Sequence, residues 1–188
     1  MMKAYLAGSI FYLGDKFRNE YFSKKLREAF PNNIDLYNPL ENTAINDKRN
    51  FADARMIAAG DNQRLDDSDI LIACIDGDVL PSGTCSEIGK FHEKIARGDD
   101  KLLVGICTDT RQQYLTHSEV KDATYTEPGE CQYCYENLYV TGLIKQVGAL
   151  VTNIEDAITV IENWRKQRPH FKSAQEAQNE ISDFWEDK

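Results

Sequence analysis

The sequence has no apolar run that approaches bilayer length, no Walker A loop, no GxGxxG turn, no HExxH pair, no internal repeat and no low-complexity tract. These gaps remove membrane spans, P-loop and dinucleotide-type phosphate binding, zincin chemistry and solenoid architectures from consideration. The apolar stretch near the start, Ala4-Tyr-Leu-Ala7, is far shorter than a signal h-region, so a soluble cytoplasmic protein is expected. Histidine is scarce, with three residues, His92, His117 and His170, in no ligand pattern. The five cysteines are an odd number in a chain long enough to need no covalent staples, and they are expected as reduced thiols. Cys131 and Cys134 have the spacing of half a zinc site, but no second pair follows and His117 is poorly spaced as a partner, so no metal site is expected. Basic charge is also in deficit. Lys and Arg number 22 against 31 Asp and Glu, and the net charge of −9 opposes a polyphosphate backbone while tolerating a small, weakly charged ligand.

What is present suits one α/β domain. A 41% hydrophobic chain of 188 residues can bury a sizeable core, and short apolar runs alternate with longer amphipathic ones, the order that a parallel sheet with crossover helices produces. Strands are expected near Lys3–Leu6, Asp35–Tyr37, Ile70–Ile75, Leu102–Ile106 and Ala149–Val151, with the continuous run Ile70–Ile75 as the central one. Helices are expected near Lys16–Ala29, Phe51–Leu65, Ser86–Ala96, Tyr135–Gln146 and Ile154–Lys166, the first with Phe17, Tyr21, Leu26 and Phe30 as its apolar stripe. A flavodoxin-like, doubly wound, five-stranded parallel sheet with flanking helices follows, occupying residues 1–167. Residues 168–188 read as a polar amphipathic tail marked by Ala174, Ala177, Ile181 and Trp185. In such a sheet, of order 2-1-3-4-5, ligands collect beyond the carboxyl ends of strands one and three. Gly8-Ser9 and Asp76-Gly77 stand at those ends and are expected to share one pocket floor.

The segment from Asp76 to Lys90 leaves the central strand, turns through Gly77, Pro81 and Gly83, and enters a helix carrying Glu87. With Thr84 as N-cap, Glu87 is the fourth member of a Thr-x-x-Glu capping box, and the positive helix end favours its ionised form, the state a nucleophile needs. Upstream, Asp61, Asp66, Asp67 and Asp69 lie within nine positions. Asp61 is two helical turns before Asp69 and can face the crevice, whereas the other three solvate or cap the connection. Just past strand one, Phe11 and Tyr12 are placed to stack on a flat base, with core packing as the other reading of Phe11.

Four segments together resemble the nucleoside 2-deoxyribosyltransferase family. They are Lys3-Ala-Tyr5-Leu-Ala-Gly8-Ser9-Ile-Phe11, Asp61 with Ser68-Asp69-Ile70, Asp76-Gly77 with Ser82-Gly83-Thr84-x-x-Glu87-Ile-Gly89, and Glu136-Asn137-Leu-Tyr-Val-Thr-Gly142. The resemblance spans residue 3 to about 160. It implies an oligomer that exchanges the base on a 2-deoxyribonucleoside through a covalent deoxyribosyl-enzyme, without a cofactor. It also implies nucleosides and free bases as partners, and neither nucleic-acid polymers nor membranes. On this resemblance Glu87 matches the nucleophile, Tyr5 the phenol that orients it, Asp61 the carboxyl group serving the base, and Asn137 a residue lent by a neighbouring subunit to the sugar hydroxyls. Gly8, Ser9, Phe11, Asp76, Asp78, Ser82 and Gly83 complete the expected substrate-binding set. One departure stands out: many members carry an aspartate directly before Ser-Gly-Thr, where this chain has Pro81, which can neither accept a hydrogen bond from a ligand nor transfer a proton. Asp76 and Asp78 are then further candidates for the acid. Two other readings share the same residues, a 2-deoxynucleoside or deoxynucleotide N-glycosidase and a non-catalytic nucleotide-sensing module. The scarcity of basic residues around Ser9, Ser82 and Ser86 favours free nucleosides over 5′-phosphates.

Overall fold

A computed structural model describes residues 1–46, 52–77, 79–109 and 137–168. The expected Asp78, the Cys131/Cys134 pair and the tail beyond residue 168 lie outside the described residues. In chain order the elements are β1 (Met2–Ala7), α1 (Leu13–Ala29), β2 (Ile34–Tyr37), a 3₁₀ turn (Pro39–Glu41), α2 (Thr43–Asn46), α3 (Ala54–Asp67), β3 (Ile70–Cys74), α4 (Ser82–Ala96), β4 (Leu102–Ile106), α5 (Leu138–Val147), β5 (Gly148–Val151) and α6 (Ile154–Lys166). The five strands form one parallel sheet of order β2-β1-β3-β4-β5. This is the flavodoxin-like arrangement the alternating pattern predicts.

The period of two along a strand divides the core into two halves. Ala4, Leu6, Ile70, Ile72 and Cys74 face one side, where Phe22, Leu26 and Phe30 from the α1 region and Ile154, Ala157, Ile161 and Trp164 of α6 cover them. Tyr5, Ala7, Leu71, Ala73 and Ile75 face the other, against Leu65 of α3, Ile88 and Phe91 of α4, and Val140 and Ile144 of α5. β3 is buried throughout, as its unbroken apolar run requires of a central parallel strand.

The structure corrects several expected boundaries and one face. α1 begins at Leu13, and its buried stripe is Asn19, Phe22, Ser23, Leu26, while Phe17 and Tyr21 are 61% and 47% exposed. Asn19 and Ser23 can turn inward because the Asn19 amide donates to the Ser9 carbonyl and the Ser23 hydroxyl accepts from Asn38, so polar residues take places that a purely apolar count assigns elsewhere. α3 starts at Ala54, where Asp53 as N-cap accepts from the Met56 amide at 2.8 Å. The 3₁₀ turn and α2 lie between β2 and α3, in a stretch that no apolar periodicity marks. α4 starts at Ser82, four residues earlier than expected, with Pro81 as its N-cap.

Gly148 begins β5 at a close approach to its neighbour. A Cβ there would lie 1.8 Å from the Leu103 carbonyl oxygen, which is backbone and has no rotamer with which to yield. Gly148→Ala is therefore expected to separate β4 from β5. Overpacking of this kind costs about 1–3 kcal/mol or more, and at roughly 2–4 °C per kcal/mol for a chain of this size the melting temperature should drop by several degrees. Thermal unfolding followed by circular dichroism reads this directly, and an unchanged midpoint would contradict the packing argument.

Candidate active site

At the carboxyl ends of β1 and β3 the two strands part and leave a cavity of about 730 Å³. Gly8 permits their approach, since a Cβ on it would lie 3.3 Å from the Cys74 Cβ. Beyond Gly8 the chain is pinned: the Ser9 hydroxyl donates to Asp15 at 2.6 Å, and the Ser9 carbonyl accepts from Asn19 at 2.8 Å and from Arg18 at 3.2 Å. Asp15 also takes the Tyr12 amide, so one carboxylate fixes both the loop and the first turn of α1. These bonds, with the Arg18 ion pair, hold its carboxyl below the usual aspartate range despite some burial.

The reactive groups converge from three elements. Tyr5, fully buried on β1, donates its phenolic proton to Glu87 Oε1 at 2.7 Å, bridging 82 positions of sequence to α4. Burial pushes the Glu87 carboxyl up to about 7; the Tyr5 bond opposes that rise, and the nearby Asp61 charge adds to it. Asp61, reaching in from α3, is also raised by burial, against the hydrogen-bonding influence of the Tyr5 and Tyr37 hydroxyls. Tyr5 itself is pushed far above the ordinary phenol range by burial and then by the Glu87 charge, so it acts as a hydrogen-bond donor and not as an anion.

The capping-box reading of Glu87 is overturned. Thr84 lies in the first turn of α4, two residues inside its start, and Glu87 lies in the second turn, with its carboxylate on Tyr5 and not on backbone amides. The reason is Pro81: its fixed φ, −61° here, suits the entry to a helix, so α4 begins at once after it. A helix-end argument for an ionised Glu87 falls with the cap, because burial raises the group's pKa.

Of the remaining expected residues, Gly8, Ser9, Phe11, Asp76, Ser82 and Gly83 all line this cavity. Asp76 is heavily engaged there: its carboxylate accepts from the backbone amide and hydroxyl of Thr108, the latter at 2.7 Å, and from Cys74 Sγ at 3.2 Å. It ties the end of β3 to the end of β4. Phe11 is 81% exposed, which excludes its core-packing reading and leaves its ring at the mouth beside Tyr12. Asn137 does not line the cavity; it caps α5, its side-chain oxygen accepting from the Tyr139 and Val140 amides. Asp15 and Tyr37 also line the cavity and were missed by the sequence reading. Asp15 was legible as the acidic residue in the first turn after strand one, and Tyr37 as the last residue of a strand beside the switch point. Among the described lining residues there are four carboxylates, Asp15, Asp61, Asp76 and Glu87, and no Lys or Arg.

Comparison with known proteins agrees with this geometry. Residues 4–137 match the family model described as nucleoside 2-deoxyribosyltransferase. The chain belongs to that family. A conserved protein from Enterococcus faecalis V583, known from a crystal structure, is similar at 39% identity and a TM-score of 0.71, over 87% of this chain and 98% of that one. A 2-desoxiribosyltransferase from Leishmania mexicana is similar at 18% identity and a TM-score of 0.53, over 85% of this chain and 95% of that one, a likeness that shows the fold. No curated protein matches the chain.

A carboxyl raised to about 7 in the folded protein, against 4.5 when free, binds more protons folded than unfolded between those values. Stability from this group is thus lost as pH rises from about 4.5 through 7. The difference is about 3–4 kcal/mol at 1.36 kcal/mol per unit. Glu87→Gln, which keeps an oxygen for Tyr5, is expected to melt higher than the parent at pH 8 and to lose that advantage near pH 4.5. A pH-independent difference between the two melting curves would refute the burial assignment.

Proposed function

We propose that this protein moves 2-deoxyribose between purine or pyrimidine bases, as a nucleoside salvage enzyme, through a covalent deoxyribosyl-Glu87 intermediate. The observation that carries the reading is the cluster of Tyr5, Glu87 and Asp61 at the switch point, with Tyr5 on Glu87 at 2.7 Å and both carboxyls raised by burial. Cleaving an N-glycosidic bond puts positive charge on the sugar and negative charge on the departing base, so two carboxyl groups in opposite protonation states answer the two charges. Ionised Glu87 attacks the anomeric carbon, while a protonated Asp61 gives its proton to the base as the C1′–N bond breaks. A second base reverses both steps. Two displacements restore the β configuration, and the missing 2-hydroxyl eases formation of the cation.

The lining chemistry supports nucleosides over 5′-phosphates. Four carboxylates repel a phosphate, and the neighbouring cation, Arg18, is paired with Asp15 at 3.1 Å and faces Asp76 at 3.9 Å. Phe11 and Tyr12 at the mouth offer faces for a base, with stacking worth about 1–3 kcal/mol in single-strand binders. Asn137, capping a helix outside the cavity of its own chain, is assigned to the sugar hydroxyls of a neighbouring subunit in a homo-oligomer. No metal or cofactor enters this scheme.

Incubation with thymidine and adenine, followed by chromatography, tests the reading. Deoxyadenosine is the expected product; free deoxyribose would mean hydrolysis, and unchanged substrates a binding module. Glu87→Ala should abolish exchange with the fold intact, and full activity in it would remove the nucleophile assignment. A mixture of Glu87→Ala and Asn137→Ala protomers should regain part of the activity that each lacks, if reassembled together. Failure of such mixed oligomers to recover would place Asn137 outside the neighbour's site.

A further inference from the structure

Two phenols stand at paired positions on neighbouring strands, Tyr5 of β1 opposite Tyr37 of β2. Their ring centroids are 5.1 Å apart at an interplanar angle of 52°, and both side chains line the cavity. Tyr5 gives its proton to Glu87. The mechanism above leaves Tyr37 without a task, although its surroundings fix the direction of its hydroxyl.

The turn after β2 is firmly held. Asn38, buried, donates to the Ser23 hydroxyl at 2.9 Å and accepts from the Leu40 amide at 3.0 Å, while Arg27 grips Glu41 with bonds of 2.7 and 2.9 Å. Asn42 closes the turn. Its side-chain oxygen accepts from the Ala44 backbone amide at 3.2 Å, which identifies the other end of its amide as the NH₂ group. That NH₂ donates to the Tyr37 oxygen at 2.9 Å. A phenol whose oxygen is already accepting has its own proton to give forward, and the donation from behind strengthens the bond in front.

Asp61 lines the same cavity as both phenols, on the helix whose Arg64 covers the Tyr37 ring, and both hydroxyls oppose the rise that burial gives its carboxyl. The single Tyr5 proton is on Glu87, which leaves the Tyr37 proton for Asp61. Arg64, three residues beyond Asp61 on the same face of α3, places its guanidinium 5.0 Å from the centre of the Tyr37 ring. Tyr37 is thus held by Asn42 at its oxygen, by Tyr5 at one part of its ring and by Arg64 at another.

We propose that Tyr37 is a positioning residue for Asp61: its hydroxyl, backed by Asn42, binds one oxygen of the Asp61 carboxyl and leaves the other to exchange a proton with the base of a 2-deoxyribonucleoside. The proposal rests on the transferase reading. In the first half-reaction the Glu87 oxygen bonds to C1′, the C1′–N electron pair passes to the base nitrogen, and the Asp61 proton goes to the base. The Asp61 carboxylate that remains keeps the Tyr37 bond, so the phenol favours the product of proton transfer over the acid. The two phenols divide the work, Tyr5 for the attacking carboxylate and Tyr37 for the proton-carrying one.

Two measurements on Tyr37→Phe test this. The first is the single-turnover rate of base release from deoxyadenosine and from 7-methyl-2′-deoxyguanosine, whose cationic base departs without needing a proton. Release of adenine is expected to slow by about 10-fold or more, with little change for 7-methylguanine. Equal slowing with both donors, or with neither, would overturn the proposal. The second needs no turnover: carbon-13 titration of the Asp61 carboxyl, assigned by its loss in Asp61→Asn. Loss of the phenol should move that titration to higher pH, and Asn42→Ala, outside the cavity, should move it the same way. An unmoved titration in both variants overturns the contact itself. If the parent transfers no deoxyribose while the titration moves, the functional reading fails and the Tyr37–Asp61 contact stands.

Discussion

The hydrogen bond from Tyr5 to Glu87 is the constraint around which this end of the molecule is organised. It joins the central sheet to α4 across 82 positions and buries an ionisable carboxyl with one phenol as its direct side-chain partner. Burying a carboxylate is unfavourable unless hydrogen bonds compensate, and here compensation is deliberately partial, because the group's pKa still rises to about 7. A 2.7 Å bond tolerates little drift. Gly8 lets β1 and β3 close, Asp76 binds the end of β3 to Thr108 beyond β4, and Pro81 sets where α4 begins. Each of these features fixes one side of the triangle in which Tyr5 and Glu87 meet.

The same cluster sets two demands against each other. A nucleophile must shed its proton and a leaving-group acid must keep one, yet Glu87 and Asp61 share burial and each other's field. The phenols oppose the effect of burial at both groups, Tyr5 through its 2.7 Å bond to Glu87, and Tyr5 and Tyr37 together at Asp61. The proposed chemistry needs one ionised and one protonated carboxyl, and the lining offers phenols for that task where it carries no described Lys or Arg.

Much of this is legible in the sequence. Five strands follow from short runs of three to six residues, and β3 declares itself central because both of its faces are apolar. The convergence of Gly8, Glu87 and Asp61 follows from strand order, since a doubly wound sheet has one switch point. What escaped the sequence was set by tertiary contact. α1 turns Asn19 and Ser23 inward because Ser9 and Asn38 wait there as partners, and no periodicity of apolar residues can reveal a partner distant in the chain. The capping box failed for a local reason: Thr84 and Glu87 have the right spacing, but Pro81 starts the helix first. Tyr37 was legible only as a strand end beside the switch point, because its place opposite Tyr5 depends on register, and register is a property of two strands.

Pro81 also sharpens the question of the acid. Pro81 stands in the cavity wall and offers there neither a proton donor nor a charge. Asp76 is poorly placed to substitute, because the Thr108 amide and hydroxyl already occupy its carboxylate. Asp61 differs in that partial burial raises its carboxyl, against the hydrogen-bonding influence of the Tyr5 and Tyr37 hydroxyls. The rise in Asp61 and Glu87 comes chiefly from desolvation, as the ordering of causes at both groups indicates. Desolvation acts only while water is kept out. In this site the exposed rings of Phe11 and Tyr12 line the cavity with both carboxyls, where a bound ligand would keep water from them.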